Sequence, residues 1–157
     1  MRATKGLLIL ALGACVAGCG GMFGRDRLGA DMSDDVAMSV RRSVESNTLS
    51  RLAALERSLN DFIQAKGRIP VRLNELIPKY LAEIPEVELG LRREHKDRND
   101  VAYYPVAVIS DGQINGALIE DTGGWGYVFN ESQVIVFVDC THKRMDGSYW
   151  YKTRGVF

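Results

Sequence analysis

The sequence is poor in residues that stabilise a chain from outside its core. Its 157 residues include three cysteines, Cys15, Cys19 and Cys140, and two histidines. So few thiols exclude the dense disulfide framework of small exported domains, and stability has to come from packing. Neither charge sign is in excess: 20 Lys and Arg face 20 Asp and Glu. That balance argues against a nucleic-acid binder, which needs a basic patch to neutralise phosphates. No phosphate loop and no dinucleotide fingerprint is present, and no nucleophile comes with a base and an orienting group, so no enzymatic activity is expected. What is present is globular in composition, with 46% hydrophobic and 25% charged residues. A chain of this length accommodates one ordinary domain plus terminal segments.

The N-terminus has the layout of an export signal. Arg2 and Lys5 precede an apolar run, Gly6–Val16, of 11 residues. A membrane span needs about 20 such residues, whereas this is the length of a signal-peptide core. Val16-Ala17-Gly18-Cys19 then resembles the bacterial lipobox. In that motif the cysteine thiol receives a diacylglyceryl group, and the chain is cut just before it. The resemblance implies that residues 1–18 are removed and that Cys19 becomes a lipid-bearing first residue. The remaining chain would hold 18 cations and 20 anions, because Arg2 and Lys5 leave with the signal. Two or three acyl chains hold a protein on a membrane for far longer than one. Gly20 and Gly21, with no aspartate beside Cys19, favour the outer membrane of a two-membrane cell by resemblance to bacterial sorting rules.

Residues 19–35 read as a flexible tether, with four glycines among Arg25, Asp26, Arg27, Asp31, Asp34 and Asp35. From Val36 to Lys66 the pattern is helical. Val40, Val44, Leu52, Leu55, Leu59, Phe62 and Ile63 make one apolar stripe, with a weak point or break at Ser46-Asn47-Thr48. Gly67 suits the left-handed position after a helix, and Pro70 forbids continuation. Val71–Tyr80 reads as a short second helix, and Glu86–Asp100 as a solvated, charge-dense loop. The remainder is β-like. Val101–Ile109 is an edge strand or extended loop interrupted by Pro105, and Gly126–Phe129 and Gln133–Asp139 are paired strands. Asp146-Gly147 turns into a last strand over Ser148–Thr153. The order predicts an α+β domain over 36–157, an N-terminal amphipathic helix packed on a small antiparallel sheet.

Two segments carry a further resemblance. Residues Gly67 to Pro85 (GRIPVRLNELIPKYLAEIP) are similar to the stretch after the long helix of type II secretion pseudopilins and type IV pilins. Asp121-Thr122-Gly123-Gly124-Trp125-Gly126-Tyr127-Val128 resembles the segment that opens the pilin sheet. The resemblance implies a pilin-like head and a non-enzymatic structural or interaction role beside a secretion or pilus component. The chain departs from that family at the helix start, which is charged and lacks the apolar polymerisation stalk of about 20 residues. The alternative expectation is an envelope lipoprotein that binds a small ligand or a metal through residues 86–100 and the aromatic strands, or calcium at Asp111 and Asn115.

No metal site or cofactor is expected from the residues alone. Asp111 and Asn115, at alternating positions in Asp111-Gly112-Gln113-Ile114-Asn115, are the weak calcium candidates, since the rest of an EF-hand is missing. Asp139, Cys140, Thr141 and His142 form a tempting run. On a strand, however, Cys140 and His142 share one face while Asp139 lies on the other, and two ligands make an incomplete zinc site.

Overall fold

The computed structural model describes residues 25–90, 94–131 and 133–156, with side chains described from residue 33 to residue 153 apart from the two gaps. It is an α+β arrangement of one long helix and two small sheets. Among the described residues no helix is long and apolar enough to cross a membrane.

The helix, α1, spans Arg25–Lys66, 42 residues. Residues 25–35, expected as tether, are therefore helical, while 19–24 lie outside the described residues. The isolated glycine at position 29 costs about 1 kcal/mol in a helix interior, too little to stop a helix that also holds Arg25, Arg27, Leu28, Ala30 and Met32 in this stretch. The helix also runs unbroken through Ser46-Asn47-Thr48. Thr48 is fully buried, and its hydroxyl donates to the Glu88 carbonyl (2.6 Å) and accepts from the Glu88 amide (2.9 Å). A tertiary partner thus takes the hydroxyl that would otherwise compete for helix backbone groups. Thr48→Val keeps the shape and strands both Glu88 groups, so urea titration should record a loss of about 2 kcal/mol. A loss under about 0.5 kcal/mol would mean that the clasp is not formed in solution.

The stripe of α1 is only partly used. Leu52, Leu55, Leu59 and Phe62 are buried, whereas Val36, Met38 and Val40 are exposed. Val40, expected on the stripe, faces solvent because the sheet does not reach that far along the helix. Gly67 takes φ +65°, and Gly67 N–H closes the helix on the Ile63 carbonyl. The expected second helix shrinks to a 3-10 turn at Leu73–Leu76. Its N-terminal side is fixed by Glu75, whose carboxylate accepts from the Val71 and Arg72 amides and from Arg68. Its C-terminal side stops because Ile77 precedes a proline and is held extended (φ −88°, ψ 141°).

The main sheet has the order β1-β4-β5-β6. β4 (Trp125–Phe129) and β5 (Val134–Val138) pair antiparallel, and β6 (Arg154–Val156) adds antiparallel to β5. β1 (Val101–Tyr103) runs parallel to β4, so the sheet is mixed rather than antiparallel. A parallel neighbour needs a crossover, and residues 104–124 provide it. They hold a 3-10 turn at Val106–Val108 and the hairpin of β2 (Ile109–Ser110) and β3 (Gln113–Ile114). Asp111 and Gly112 turn that hairpin with φ +52° and +69°, the left-handed pair such two-residue loops require. Where a strand is expected at Ser148–Thr153, the chain makes one antiparallel bridge, Tyr149 with Lys143, then a 3-10 turn over Trp150–Lys152, and joins the sheet at Arg154. Burial of the Trp150 ring beneath the Arg144 guanidinium outweighs local strand preference.

Both faces of the sheet are covered. Trp125, Tyr127, Val134, Val136 and Val138 pack against α1 and the Leu73–Leu76 turn. Val128, Ile135 and Phe137 pack under Val108 and Ile114 from the crossover. This explains why β5 is apolar at all five positions instead of alternating. Two hydrogen bonds lock the segment after α1 to the sheet. Trp125 Nε1 donates to the Pro85 carbonyl (2.7 Å), and the Tyr127 hydroxyl donates to the Pro70 carbonyl (2.6 Å). At the other end of the packed helix, Glu45 accepts from Arg144 Nε (2.9 Å) and from the Met145 amide (3.0 Å).

Candidate metal centre

The register of the sheet brings one set of ends together. Val101 at the start of β1 lies beside Trp125 at the start of β4, and Trp125 lies opposite Val138 at the end of β5. Segments leading into β1 and β4 and out of β5 therefore meet at this end. His95 arrives from the loop before β1, Asp121 from the turn before β4, and Cys140 and His142 from the chain leaving β5. Their ligand atoms all lie within 4.8 Å of one another.

The contacts converge. His95 Nε2 is 3.2 Å from His142 Nδ1 and 3.3 Å from Asp121 Oδ1. Cys140 Sγ is 3.4 Å from the same His142 Nδ1 and accepts from the His142 amide at 3.4 Å. Cys140 is fully buried, the His95 side chain is 9% exposed, and Asp121 and His142 are about one-third exposed at 31% and 34%. Burial pushes the Cys140 thiol up to about 12. Burial would raise Asp121 as well. It is outweighed by the hydroxyl and amide of Thr141, which both donate to this carboxylate, and by the two imidazoles, so the group sits below its usual range.

Backbone conformation serves the cluster. Asp121 holds φ +57°, a left-handed value uncommon outside glycine. Gly123 holds φ +77°, and a Cβ there would stand 2.7 Å from His95 Cγ and Nδ1. The ring of His95 lies flat where any other residue would project.

Of the residues singled out in the sequence, Cys140 and His142 do share a side, and Asp139 does point elsewhere. Asp139 Oδ2 accepts from Tyr104 (2.9 Å) and from the Thr122 hydroxyl (2.6 Å), so this carboxylate braces the crossover. The loop 86–100, read as solvated, is partly core: Val87 and Leu89 are buried, and His95 turns inward. Asp111 forms the hairpin turn, and Asn115 Oδ1 accepts from the Ala117 amide (3.0 Å). Both line a shallow recess with Ser110, Gln113, Tyr151 and Lys152, away from the cluster. Among the described residues, one group of three or more His, Cys, Asp or Glu side chains could share an ion, and neither Asp111 nor Asn115 belongs to it. Cys19 lies outside the described residues. His95 and Asp121 were missed as partners because their neighbours are 47 and 20 residues away. Scarcity was the available signal, since both histidines of the chain and the one cysteine beyond the N-terminal segment meet here.

No family model matches this chain, and no curated protein and no solved structure matches it.

Proposed function

We propose that this chain is an exported lipoprotein, anchored through Cys19 at the periplasmic face of a membrane, whose folded part is a pilin-like head. Its role is structural or interactive rather than enzymatic, beside a secretion or pilus-type component. The observation that carries this reading is the coupling of the two resembling segments. Pro70 and Pro85 offer their carbonyls to Tyr127 and Trp125, so the proline-bounded stretch after the helix and the glycine-tryptophan stretch that opens the sheet stabilise each other. The two-part helix agrees with it. The half of α1 from Thr48 to Phe62 packs under the sheet, and residues 33–43 stand clear of it. At 1.5 Å per residue, residues 33–43 reach about 16 Å beyond the packed part, a spacer between an N-terminal anchor and a head.

The test is fractionation after expression in a two-membrane bacterium. The wild type should sediment with membranes, favouring the outer one, and take up labelled palmitate. Cys19→Ser should lose the label and move to the soluble fraction while keeping its far-ultraviolet dichroism. A Cys19→Ser protein that still fractionates wholly with membranes would overturn lipid anchorage.

A further inference from the structure

We infer that His95 Nε2, Asp121 Oδ1, Cys140 Sγ and His142 Nδ1 form a tetrahedral site for one divalent ion of the zinc class, which clasps three separate chain segments at one end of the sheet. The inference goes beyond anchorage and does not depend on it.

Geometry is the first argument. Ligand atoms about 2.0–2.3 Å from a tetrahedral ion lie about 3.3–3.8 Å from one another. The contacts at 3.2, 3.3 and 3.4 Å fall at that spacing, and every pair lies within 4.8 Å. Each donor is used through one atom, and the same His142 Nδ1 serves the contacts to His95 and to Cys140. One imidazole lone pair accepts a single hydrogen bond well, so a hydrogen-bonded network would spread these donors apart. A central cation draws all four lone pairs to one point.

Donor chemistry is the second argument. Two imidazoles, one thiolate and one carboxylate are nitrogen, sulfur and oxygen ligands of borderline softness, the set that suits zinc. Calcium and magnesium take six or more oxygens and gain little from a thiolate. Four protein ligands close the coordination sphere, as in structural rather than catalytic zinc sites.

The surroundings are the third. A metal-bound histidine commonly donates its other ring N–H to a carboxylate. His142 Nε2 lies 3.6 Å from Glu94 Oε2, on the side away from its Nδ1. Asp121 is oriented by Thr141, whose hydroxyl donates to Oδ2 (2.7 Å) and whose amide donates to Oδ1 (2.8 Å), and Oδ1 keeps a further lone pair for the cluster, 3.3 Å from His95 Nε2. The His142 amide approaches Cys140 Sγ, a contact that strengthens once the sulfur is a thiolate.

The test uses the full-length chain in detergent, stripped with a chelator and titrated with Zn2+ against a chromophoric competitor, and in parallel with Co2+. One equivalent of Zn2+ should bind and raise the thermal midpoint by more than about 5 °C. Co2+ should give the intense visible bands of a tetrahedral ion plus a thiolate charge-transfer band in the near ultraviolet. Cys140→Ser should lose the charge-transfer band, His95→Gln should lose tetrahedral character, and Glu94→Gln should weaken Zn2+ about tenfold with the bands intact. Cys15 and Cys19 are unchanged in these variants, so a band that survives Cys140→Ser would place the ion elsewhere and overturn the site. Weak octahedral cobalt bands, or no shift of the midpoint by Zn2+, would overturn it too. Should Cys140→Ser fail to fold, the more exposed His142→Gln decides on the same readouts. Cys19 takes no part in the site, so either result leaves the membrane reading standing on its own test.

Discussion

Trp125→Ala is expected to cost about 3–5 kcal/mol, the largest loss from any single truncation in this core. The indole is fully buried where the first residue of β4 meets α1 and the stretch after it, and it anchors Pro85 through Nε1. Alanine removes one of the two largest side chains of the cluster and leaves the Pro85 carbonyl without its donor. The surrounding elements cannot collapse into the space, because β4 is pinned on both sides by β1 and β5. Domains of this kind are stable by about 5–15 kcal/mol, so the variant should be on the edge of folding at 37 °C. Trp125→Phe separates the two contributions. It keeps most of the apolar volume and loses the hydrogen bond, and should cost about 2 kcal/mol. Urea or guanidinium unfolding followed by dichroism measures both. A loss under about 1.5 kcal/mol for the alanine variant would show that the ring is not packed as described.

Gly126→Ala should destabilise by about 1–3 kcal/mol even though alanine is the better strand residue. Intrinsic preference alone would favour the change by about 0.5–1 kcal/mol, because glycine loses more freedom on folding. The neighbour decides the sign. Gly126 lies directly opposite Phe137, and the phenyl ring folds across it so closely that an added Cβ would stand 2.2 Å from Phe137 Cζ. That ring is fully buried between the sheet and the crossover, beside Tyr104, and has little room to turn. Overpacking therefore outweighs propensity. A double-mutant cycle tests the cause: in a Phe137→Leu background the cost of Gly126→Ala should fall towards zero. A cost that stays the same in both backgrounds would locate the strain in the backbone instead.

The sequence made some of this fold legible and hid the rest for identifiable reasons. The helix from Leu52 to Lys66, the Gly67 stop and the β4–β5 hairpin follow from local periodicity and turn chemistry, and all are present. What failed depends on partners far along the chain. Thr48 reads as a helix breaker until Glu88 takes its hydroxyl. Val71–Tyr80 reads as a helix until the Ile77–Pro78 pair is weighed against its apolar spacing. The parallel placement of β1 has no local signal at all, since strand direction is set by the crossover and not by the strand. The His–Asp–Cys–His cluster was half legible. The spacing of Cys140 and His142 put them on one side, but His95 sat in a run of charges whose usual meaning is a solvated loop. Nothing near Asp121 announces that its left-handed backbone aims a carboxylate at a histidine 26 positions earlier.

The stripe on α1 also has a timing. Its last buried residue, Phe62, comes 72 positions before Val134, the first residue of the strand that lies across it. Glu45 waits longer still, for Arg144, 99 positions on. Ribosomes add about 5–20 residues per second, so the strand that lies across the stripe begins to be made roughly 4–14 s after Phe62. Leu73, Leu76, Ile84, Val87 and Leu89 follow the helix closely and can lie against part of the stripe earlier, but the sheet that completes its cover comes only with β4 and β5. Completion of the core is thus postponed until nearly the whole chain is available, and a partly covered leucine face is open to any chaperone or carrier that meets the chain first.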